Sequence, residues 1–221
     1  MAHRTQHKEP LIVTRTDLLA WEAAQDQLVT GVALDDQAVT RLADQGAHDP
    51  DPTPYFVLDE LFGHLTLSER SQLLDVGCGT GRVLAYSVLK GLPGKVTGIE
   101  LDPQLAERAR TWAKRYPKLE VLTGSALDLS LAPYTDFYLF NPFDQGILQR
   151  FIEKLELEVI RPCTVIHMSD NGDTWRYVGR SGWTELASGS FQTFRNARGY
   201  QVKVYDHPQH YTVWRYEPQD P

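Results

Sequence analysis

The chain of 221 residues contains little of what secreted or membrane-bound proteins depend on. Its only cysteines are Cys78 and Cys163, both in apolar segments, so we expect no disulfide framework and a reducing, cytoplasmic environment. The longest apolar runs, such as residues 137–140, are too short to cross a bilayer. Residues 1–10 are polar, so we expect no signal peptide and no membrane association.

Internal repeats, low-complexity tracts and Gly/Ser linkers are also missing. Hydrophobic residues make up 42% of the chain and charged residues 23%, a balance typical of folded proteins. The length suits one α/β domain with its own core. We therefore expect one continuous globular unit, with a helical N-terminal cap over residues 1–70 and the main domain over residues 71–221.

Positive charge is scarce, because 22 Lys and Arg face 29 Asp and Glu, a net charge of −7. Proteins that grip nucleic acid usually display a basic face. The one basic cluster falls at the end of a predicted helix, where cations suit the helix dipole, and we interpret it as a solvated helix end. The balance favours a protein or small-molecule partner and disfavours nucleic acid without excluding it; the oligomeric state stays open. The cluster consists of Arg108, Arg110, Lys114, Arg115 and Lys118.

The first seventy residues are predicted to be helical. Thr16 can cap a first helix that Gly31 ends, and a second helix is predicted over residues 34–45. Three prolines within residues 48–54 indicate a stiff turn, after which a third helix is predicted over residues 55–64.

From residue 71 the pattern alternates between strand and helix, which predicts a doubly wound, mostly parallel α/β sheet. The tail is rich in aromatic and β-branched residues without helices between them, and predicts an antiparallel hairpin at the C-terminal end of a seven-stranded sheet. The predicted strands cover residues 72–76, 95–99, 120–123, 135–140, 163–168, 191–194, 200–206 and 211–217. The predicted helices between them cover residues 82–90, 102–115 and 145–160. The last two strands are predicted to pair around a turn at residues 207–210.

Three closely spaced glycines, Gly77, Gly79 and Gly81, stand between the first strand and its helix. Glycines let the backbone turn sharply and approach a ligand, and the helix N-terminus offers unpaired N–H donors. The spacing is one residue tighter than that of the dinucleotide fingerprint. A tight turn alone also explains a glycine trio.

Two acids accompany the glycines and favour a cationic ligand. Asp75 would repel the pyrophosphate of a nicotinamide cofactor and attract a cation. Glu100 ends the next strand twenty-five residues later, near the spacing at which an acid takes a pair of ribose hydroxyls. Glu100 alone would be an ordinary strand-end charge, but the joint pattern indicates a cofactor site.

Residues 75–81 and 98–102 resemble the first two motifs of the class I, Rossmann-like, S-adenosylmethionine-dependent methyltransferases. The resemblance covers residues 72–168 and implies S-adenosylmethionine as the cofactor. It implies that Gly77, Cys78 and Gly79 approach the methionine part of the donor. It also implies that Glu100, followed by Leu101, holds the ribose.

The same resemblance implies that the segment after the third strand, with Ser125 and Ala126, packs along the adenine. An acid frequently stands in that family where this chain has Ser125. The adenine amine then reaches either Ser125 or Asp128.

Asn141, Pro142 and Phe143 directly follow the fourth strand, at the edge where such a sheet has its catalytic end. Methyl transfer is an in-line displacement, so the enzyme mainly has to hold a lone pair in line with the sulfonium methyl. An Asn side-chain oxygen and a proline-restrained carbonyl can accept two hydrogen bonds from one amine, while Phe143 packs against acceptor or donor. We predict these three residues to be catalytic, and Asn141 to contact the cofactor as well. A plain turn is the alternative.

The Asn-Pro-Phe loop resembles the Asn-Pro-Pro-aromatic loop of methyltransferases that act on planar amines, such as adenine N6 or the glutamine amide, and is one proline short. With residues 52–56 it is also similar to small bacterial methyltransferases distantly related to the non-SET lysine methyltransferases. In those proteins the segment before the glycine loop covers the donor. Thr53 and Tyr55 are therefore candidate lid residues, although a core position also explains Tyr55.

Other polar and aromatic residues favour structural roles. We interpret His167 as a core histidine rather than a base, and residues 169–173 as a turn rather than a metal loop, so we expect no metal. Core packing is also the default explanation for Trp21, Trp175 and Trp183, with an acceptor pocket as the alternative.

We therefore expect an S-adenosylmethionine-dependent methyltransferase that methylates nitrogen on a protein side chain or a small amine. Methylation of a nucleic-acid base is the second option among enzymes, and non-catalytic binding of the donor is the third. A dinucleotide-dependent oxidoreductase is disfavoured by Asp75, by the tight glycine spacing and by the lack of a second catalytic domain.

Overall fold

The computed structural model describes residues 12–34, 41–42, 44 and 48–219. In these residues two α-helices precede the sheet and three lie between its strands. The helices are α1 Arg15–Thr30, α2 Tyr55–Phe62, α3 Arg82–Leu89, α4 Pro103–Ala113 and α5 Gln145–Glu158. The strands are β1 Gln72–Val76, β2 Lys95–Glu100, β3 Leu119–Thr123, β4 Asp136–Phe140, β5 Cys163–Ser169, β6 Trp183–Phe191, β7 Thr193–Arg195, β8 Gln201–Lys203 and β9 Gln209–Tyr216. In this part of the chain no helix is both long and apolar enough to span a membrane.

The main sheet has seven strands in the order β3-β2-β1-β4-β5-β9-β6. The first five strands pair in parallel, and β9 runs antiparallel between β5 and β6. Strands β7 and β8 form a separate two-stranded antiparallel hairpin. The predicted fold class, a mostly parallel seven-stranded sheet with an antiparallel hairpin, is confirmed.

Helices cover both faces of the sheet, because successive strand residues enter different cores. Leu73 and Tyr138 belong to the cluster that packs against α1 to α4, whereas Leu74 and Phe137 belong to the cluster beneath α5. Such near-continuous burial, rather than alternation, is typical of parallel strands covered on both sides.

The start of α1 differs from the prediction. Thr14, not Thr16, caps the helix: its side chain accepts a hydrogen bond from the Asp17 backbone N–H at 3.1 Å, and the Asp17 carboxylate accepts one from the Thr14 N–H at 2.9 Å. This reciprocal capping box needs an acid three residues after the cap, which Thr14 has. The helix ends at Gly31, as predicted. The second predicted helix, over residues 34–45, lies almost entirely outside the described residues.

The predicted pairing of the last two tail strands is wrong. Strand β8 pairs with β7, and β9 pairs with β5 and β6. Strand β6, which the sequence did not indicate, is an exposed edge strand that contains Ala187, Ser188 and Gly189, residues with little strand propensity. Its register partners in β9 lie 18 to 33 residues further along the chain, so local turn signals do not reveal the pairing.

A buried ionic cluster joins α1 to α3. Arg82, the first residue of α3, is 5% exposed and lies between Glu22 and Asp26 of α1, which are 3% and 0% exposed. Its Nη1 is 2.5 Å from Glu22 Oε2, and its Nε is 2.8 Å from Asp26 Oδ1. Tyr55 donates its backbone N–H to Glu22 Oε1 at 2.9 Å and its hydroxyl to Asp26 Oδ1 at 2.8 Å.

The three charges in this cluster depend on one another. Burial raises the pKa of Glu22 to about 7, although the Arg82 guanidinium acts to lower it. Two carboxylates without that guanidinium would be buried without compensation, and breaking a buried pair costs far more than breaking an exposed one.

We expect Arg82→Met to lower the free energy of unfolding by about 3–5 kcal/mol, because it leaves Glu22 and Asp26 buried without a cation. Lys118→Met is the matched control: Lys118 pairs with Glu69 on the surface, where both side chains are more than half exposed, and should cost below about 1 kcal/mol. Urea denaturation measures both. Equal losses for the two variants would contradict the structural role assigned to Arg82.

Candidate cofactor and active site

A cavity of about 440 Å³ opens at the carboxyl edge of the parallel strands. It lies among the loops that follow β1, β2, β3 and β4, and residues 48–53, here called the lid segment, line its side. Ligands of open α/β sheets bind at this edge, and the volume is in the range of small-molecule pockets.

The two glycine-containing motifs of the sequence pack directly on each other. The backbone N–H groups of Gly77 and Cys78 both donate to the Ile99 carbonyl, at 2.9 and 3.1 Å. A Cβ at Gly98 would lie 2.7 Å from Cys78 Sγ. A glycine at position 98 therefore makes room for the loop after β1.

Glu100 anchors the same loop to the end of β2. Its Oε2 accepts a hydrogen bond from the Gly79 N–H at 2.8 Å, and its Oε1 accepts one from the Asp102 N–H at 2.9 Å. Burial raises the pKa of the Glu100 carboxyl. Each carboxylate oxygen has further acceptor capacity, so the side chain can hold the loop and still receive hydroxyl groups of a ligand.

Asp75 brings a second carboxylate to the cavity wall. It is 3% exposed, and burial together with nearby Glu100 raises its pKa well above the ordinary value. Within the described part of the chain no protein group donates a hydrogen bond to it. A buried acid that the protein leaves without a donor or a cation indicates a ligand that supplies one.

The loop after β4 holds a strained backbone. Asn141 has φ +42°, in the left-handed region that residues other than glycine adopt rarely. Three contacts hold it: its N–H donates to the Met168 carbonyl at 2.9 Å, its carbonyl accepts from His48 Nδ1 at 2.8 Å, and its Oδ1 accepts from Asn171 Nδ2 at 3.4 Å. Such conformations persist where the surroundings fix them, and they concentrate at functional sites.

Pro142 presses this loop against the glycine loop. A Cβ at Gly77, where φ is +75°, would lie 2.8 Å from Pro142 Cβ. Only glycine suits both the conformation and the close approach. Phe143 also lines the cavity, and its ring packs 5.8 Å from that of Phe151 in the core.

The lid segment reaches the site through side-chain contacts. Thr53 Oγ1 lies 2.6 Å from the hydroxyl of Tyr138, a β4 residue whose register partner is Asp75. His48 bridges the Asn141 carbonyl and the Asp144 carboxylate, the latter at 3.2 Å.

The structure brings most of the predicted site residues together, and their roles stay predictions. Those that line the cavity are Thr53, Asp75, Gly77, Cys78, Gly79, Glu100, Leu101, Ser125, Ala126, Asp128, Asn141, Pro142 and Phe143. Tyr55 is not among the lining residues, because its hydroxyl is turned to Asp26 and its ring lies under the Arg82 guanidinium, 5.0 Å away.

Several lining residues carry no local sequence signal. His48, Tyr138, Asp170 and Gln209 each come from a different segment, and no motif spacing links them to the glycine loop. Arg82 directly follows that loop, but its place in the helix gives no sign that it lines the cavity.

The structural interpretation of His167 is confirmed. The side chain is 1% exposed, contacts the Tyr177 hydroxyl at 3.2 Å, and burial lowers its pKa to about 4, which keeps it neutral. Residues 169–173 form a turn in which Asn171 Oδ1 accepts the Asp173 N–H at 3.0 Å. Among the described residues no three acids, histidines or cysteines are placed to hold a metal ion.

The tryptophans of the cap and tail lie outside the residues that line the cavity. Trp21 contacts the ring of Tyr55 at 6.2 Å, and Trp183 that of Tyr177 at 4.6 Å. Trp175 is 43% exposed.

Comparison with known proteins adds the family. Residues 73–152, which hold the glycine loop, Glu100 and the Asn-Pro-Phe loop, match the family model of a methyltransferase domain. Residues 73–152 are therefore identified as a methyltransferase domain, and this match supports the predicted resemblance to the class I, Rossmann-like, S-adenosylmethionine-dependent methyltransferases. S-adenosylmethionine is the cofactor of this family, as the sequence predicts.

Two curated proteins are similar in sequence. An rRNA adenine N-6-methyltransferase of Lysinibacillus sphaericus is 23% identical over 48% of this chain and 43% of its own length. The type II methyltransferase M.CvrRI of Paramecium bursaria Chlorella virus XZ-6E is 25% identical over 54% of this chain and 33% of its own length. The chain thus spans less than half of either relative.

The fold also matches solved structures. The RNA methyltransferase of Salinibacter ruber, solved in complex with S-adenosyl-L-homocysteine, superposes with a TM-score of 0.53 at 21% identity, over 77% of this chain and 97% of that one. At this identity the likeness concerns the fold.

The expectation that disfavoured nucleic acid is wrong, because a curated relative of this chain is named as an rRNA adenine N-6-methyltransferase. The net charge sums over the whole chain, whereas phosphate contacts depend on local groups. Two residues of the basic cluster that the sequence suggested are engaged in contacts within the protein. Arg115 donates to the carbonyls of Val29 and Thr30 at 2.9 and 2.7 Å, and Lys118 to Glu69 at 3.1 Å.

We expect Asp75→Asn to stabilise the ligand-free protein and to weaken donor binding. Because the folded pKa of Asp75 is raised, the ionised group opposes folding, and this penalty grows as pH rises above the ordinary aspartate value. The variant should therefore unfold at a higher temperature than the wild type, by a margin that widens from pH 5 to pH 8. Its affinity for S-adenosylmethionine should fall about 10- to 100-fold, the loss of one charge-assisted hydrogen bond.

Thermal unfolding and calorimetric titration measure the two effects. Asp136→Asn is the matched control, since Asp136 is also buried with a raised pKa but lies at the opposite end of β4. An Asp75→Asn variant that binds the donor as tightly as the wild type would show that the carboxylate does not face the ligand.

Proposed function

We propose that the chain transfers a methyl group from S-adenosylmethionine to an exocyclic amine nitrogen of a nucleic-acid base. The observation that carries this proposal is the Asn-Pro-Phe loop: it sits at the carboxyl end of β4, it is strained at Asn141, and Pro142 touches the glycine loop. An acceptor held by this loop would therefore lie next to a donor bound at the glycine loop. The rRNA adenine N-6-methyltransferase among the similar proteins supports an amine of a base as the acceptor.

The cavity residues fit the donor in charge and shape. S-adenosylmethionine carries an ammonium group and a methylated sulfonium, which supplies the electrophilic methyl group. Asp75 faces the cavity without a protein cation, and Gly77, Cys78 and Gly79 would border the methionine part. Glu100 would accept hydrogen bonds from the ribose hydroxyls.

The adenine side of the donor would be bordered by the loop after β3. Ser125 and Ala126 line the cavity there, as does Asp128. The Ser125 hydroxyl already accepts the Leu127 N–H at 3.1 Å, so its role in the loop is partly structural. The Asp128 side chain has no such local bond among the described residues, which favours it as the acceptor for the adenine amine.

On the acceptor side, the loop offers two oxygens to one amine. Asn141 Oδ1 and the Pro142 carbonyl would each accept one N–H of the amine, which directs the nitrogen lone pair towards the methyl group. The nitrogen–methyl bond forms as the sulfur–methyl bond breaks, the sulfur keeps the electron pair, and the amine loses one proton to solvent. The residues that exclude water around the planar base would be Phe140 and Phe143.

The side chain of Asn141 provides the direct test. Asn141→Gly removes the amide but keeps the left-handed backbone without strain, whereas Asn141→Asp keeps an acceptor oxygen in place. With methyl-labelled S-adenosylmethionine and cellular RNA, DNA and protein fractions, we expect the wild type to label nucleic acid. Asn141→Gly should lower kcat about 10²- to 10³-fold, as removal of a transition-state hydrogen-bonding group does, and Asn141→Asp should retain more of it.

Binding of S-adenosylhomocysteine to each variant is the control. It should weaken by less than about tenfold, far less than kcat falls, because Asn141 is only one of the predicted cofactor contacts and each variant retains the glycine loop and Glu100. Label found in protein alone would overturn the proposed acceptor. Tight donor binding without label in any fraction would indicate a protein that binds the donor without transferring its methyl group.

A further inference from the structure

The hairpin of β7 and β8, residues 193–203, has one apolar face and one cationic face. Phe194 is the register partner of Val202, and directly opposed residues point to the same side of a hairpin. Val202 is 3% exposed, so this side packs onto the core. Arg195 and Lys203 lie on the other side, and both are exposed.

Hydrogen bonds of the Asn196 side chain brace the tip of the hairpin. Asn196 Oδ1 accepts the backbone N–H groups of Arg198 and Tyr200, at 2.9 and 3.0 Å, and Asn196 Nδ2 donates to the Ile12 carbonyl at 2.6 Å. The ring of Phe194 in β7 lies 4.9 Å from the ring of Phe56 in α2. Arg198 and Tyr200 are thereby presented to solvent, Tyr200 with 54% of its surface exposed.

The charge of this segment is opposite to that of the chain. Residues 193–203 contain three cations, Arg195, Arg198 and Lys203, and no acid, in a protein of net charge −7. Lys203 contacts Asp206 at 3.2 Å, but both side chains are more than half exposed, so the pair is weak and leaves the lysine accessible.

The topology puts the hairpin at the acceptor edge of the sheet. Strands β5 and β6 are both antiparallel to β9, so β6 ends at the same edge as β5. The last residue of β6, Phe191, is the register partner of Gln209, which lines the cavity. The hairpin connects these two residues, and it therefore emerges beside the cavity.

We infer that the β7–β8 hairpin is the surface on which a nucleic acid docks for methylation. Arg195, Arg198 and Lys203 contact backbone phosphates next to the target nucleotide, and Tyr200 offers a ring for a neighbouring base to stack on. A rigid arrangement of phosphate contacts sets the register of the strand, so that one base reaches the Asn-Pro-Phe loop. This inference rests on the proposed acceptor class.

The test is binding of a fluorescent, mixed-sequence single-stranded RNA of about 20 nucleotides to the full chain, followed by anisotropy over a series of salt concentrations. The same sequence as DNA separates the two sources of phosphate. The variant is Arg195→Gln with Arg198→Gln. Lys114→Gln with Lys118→Gln, here called the α4 variant, changes the net charge equally in the segment between α4 and β3 and is the matched control.

At 0.1 M salt we expect the hairpin variant to bind the oligonucleotide that the wild type prefers, RNA or DNA, at least about fivefold more weakly than the wild type does. The slope of log K against log salt should fall by about 1.4, since each lost contact with a single strand removes about 0.7. The α4 variant should stay within about twofold of the wild type. Both should bind S-adenosylhomocysteine and unfold thermally like the wild type.

Equal losses in the two double variants would indicate a general charge effect and overturn the inference. So would unchanged binding by the hairpin variant; if the wild type then still labels RNA or DNA, the proposed function stands while the hairpin assignment falls. A wild type that binds neither oligonucleotide and labels only protein would overturn both.

Discussion

The guanidinium of Arg82, enclosed between Glu22 and Asp26, couples the N-terminal helices to the cofactor edge of the sheet. Arg82 directly follows the glycine loop, so the position of α1 is tied to the position of that loop. Tyr55 binds the same two acids and starts α2 behind the lid segment. The β7–β8 hairpin in turn packs on α2 and on Ile12, just before α1. Lid and hairpin therefore both depend on this one buried cluster.

The buried acid at the cavity wall, Asp75, differs from those of the α1–α3 cluster because no cation in the described part of the chain pairs with it. In the α1–α3 cluster each buried acid pairs with the Arg82 guanidinium, whereas at the cavity wall burial and the nearby Glu100 carboxylate raise the pKa of Asp75, which faces the cavity. Such an arrangement costs folding stability, and the proposed contact with a cationic donor would compensate it. The strained backbone of Asn141 is a second local cost at the same edge, and His48 of the lid segment helps to hold it.

Features set by local sequence were predictable, and features set by distant contacts were not. The strand, glycine loop and helix around Gly77 follow one another along the chain, so the pattern reveals the fold class and a loop that lines the cavity. The contact of His48 with Asn141 spans ninety-three residues, and no spacing rule connects them. Tyr55 was a lid candidate, yet its hydroxyl is turned to Asp26, a partner known only from the fold. Strand β6 was not predicted for the same reason, because its pairing with β9 is not local.

The acceptor was the least predictable property, since a net charge of −7 averages over surfaces of opposite sign. The most direct test is to identify the methylated product. Nucleic acid incubated with the protein and trideuteromethyl-labelled S-adenosylmethionine would be digested to nucleosides and examined by mass spectrometry. A nucleoside with the labelled methyl on an exocyclic amine, absent with Asn141→Gly, is the predicted result. Label on a ribose hydroxyl or a ring carbon, or on protein alone, would contradict a base amine as the acceptor.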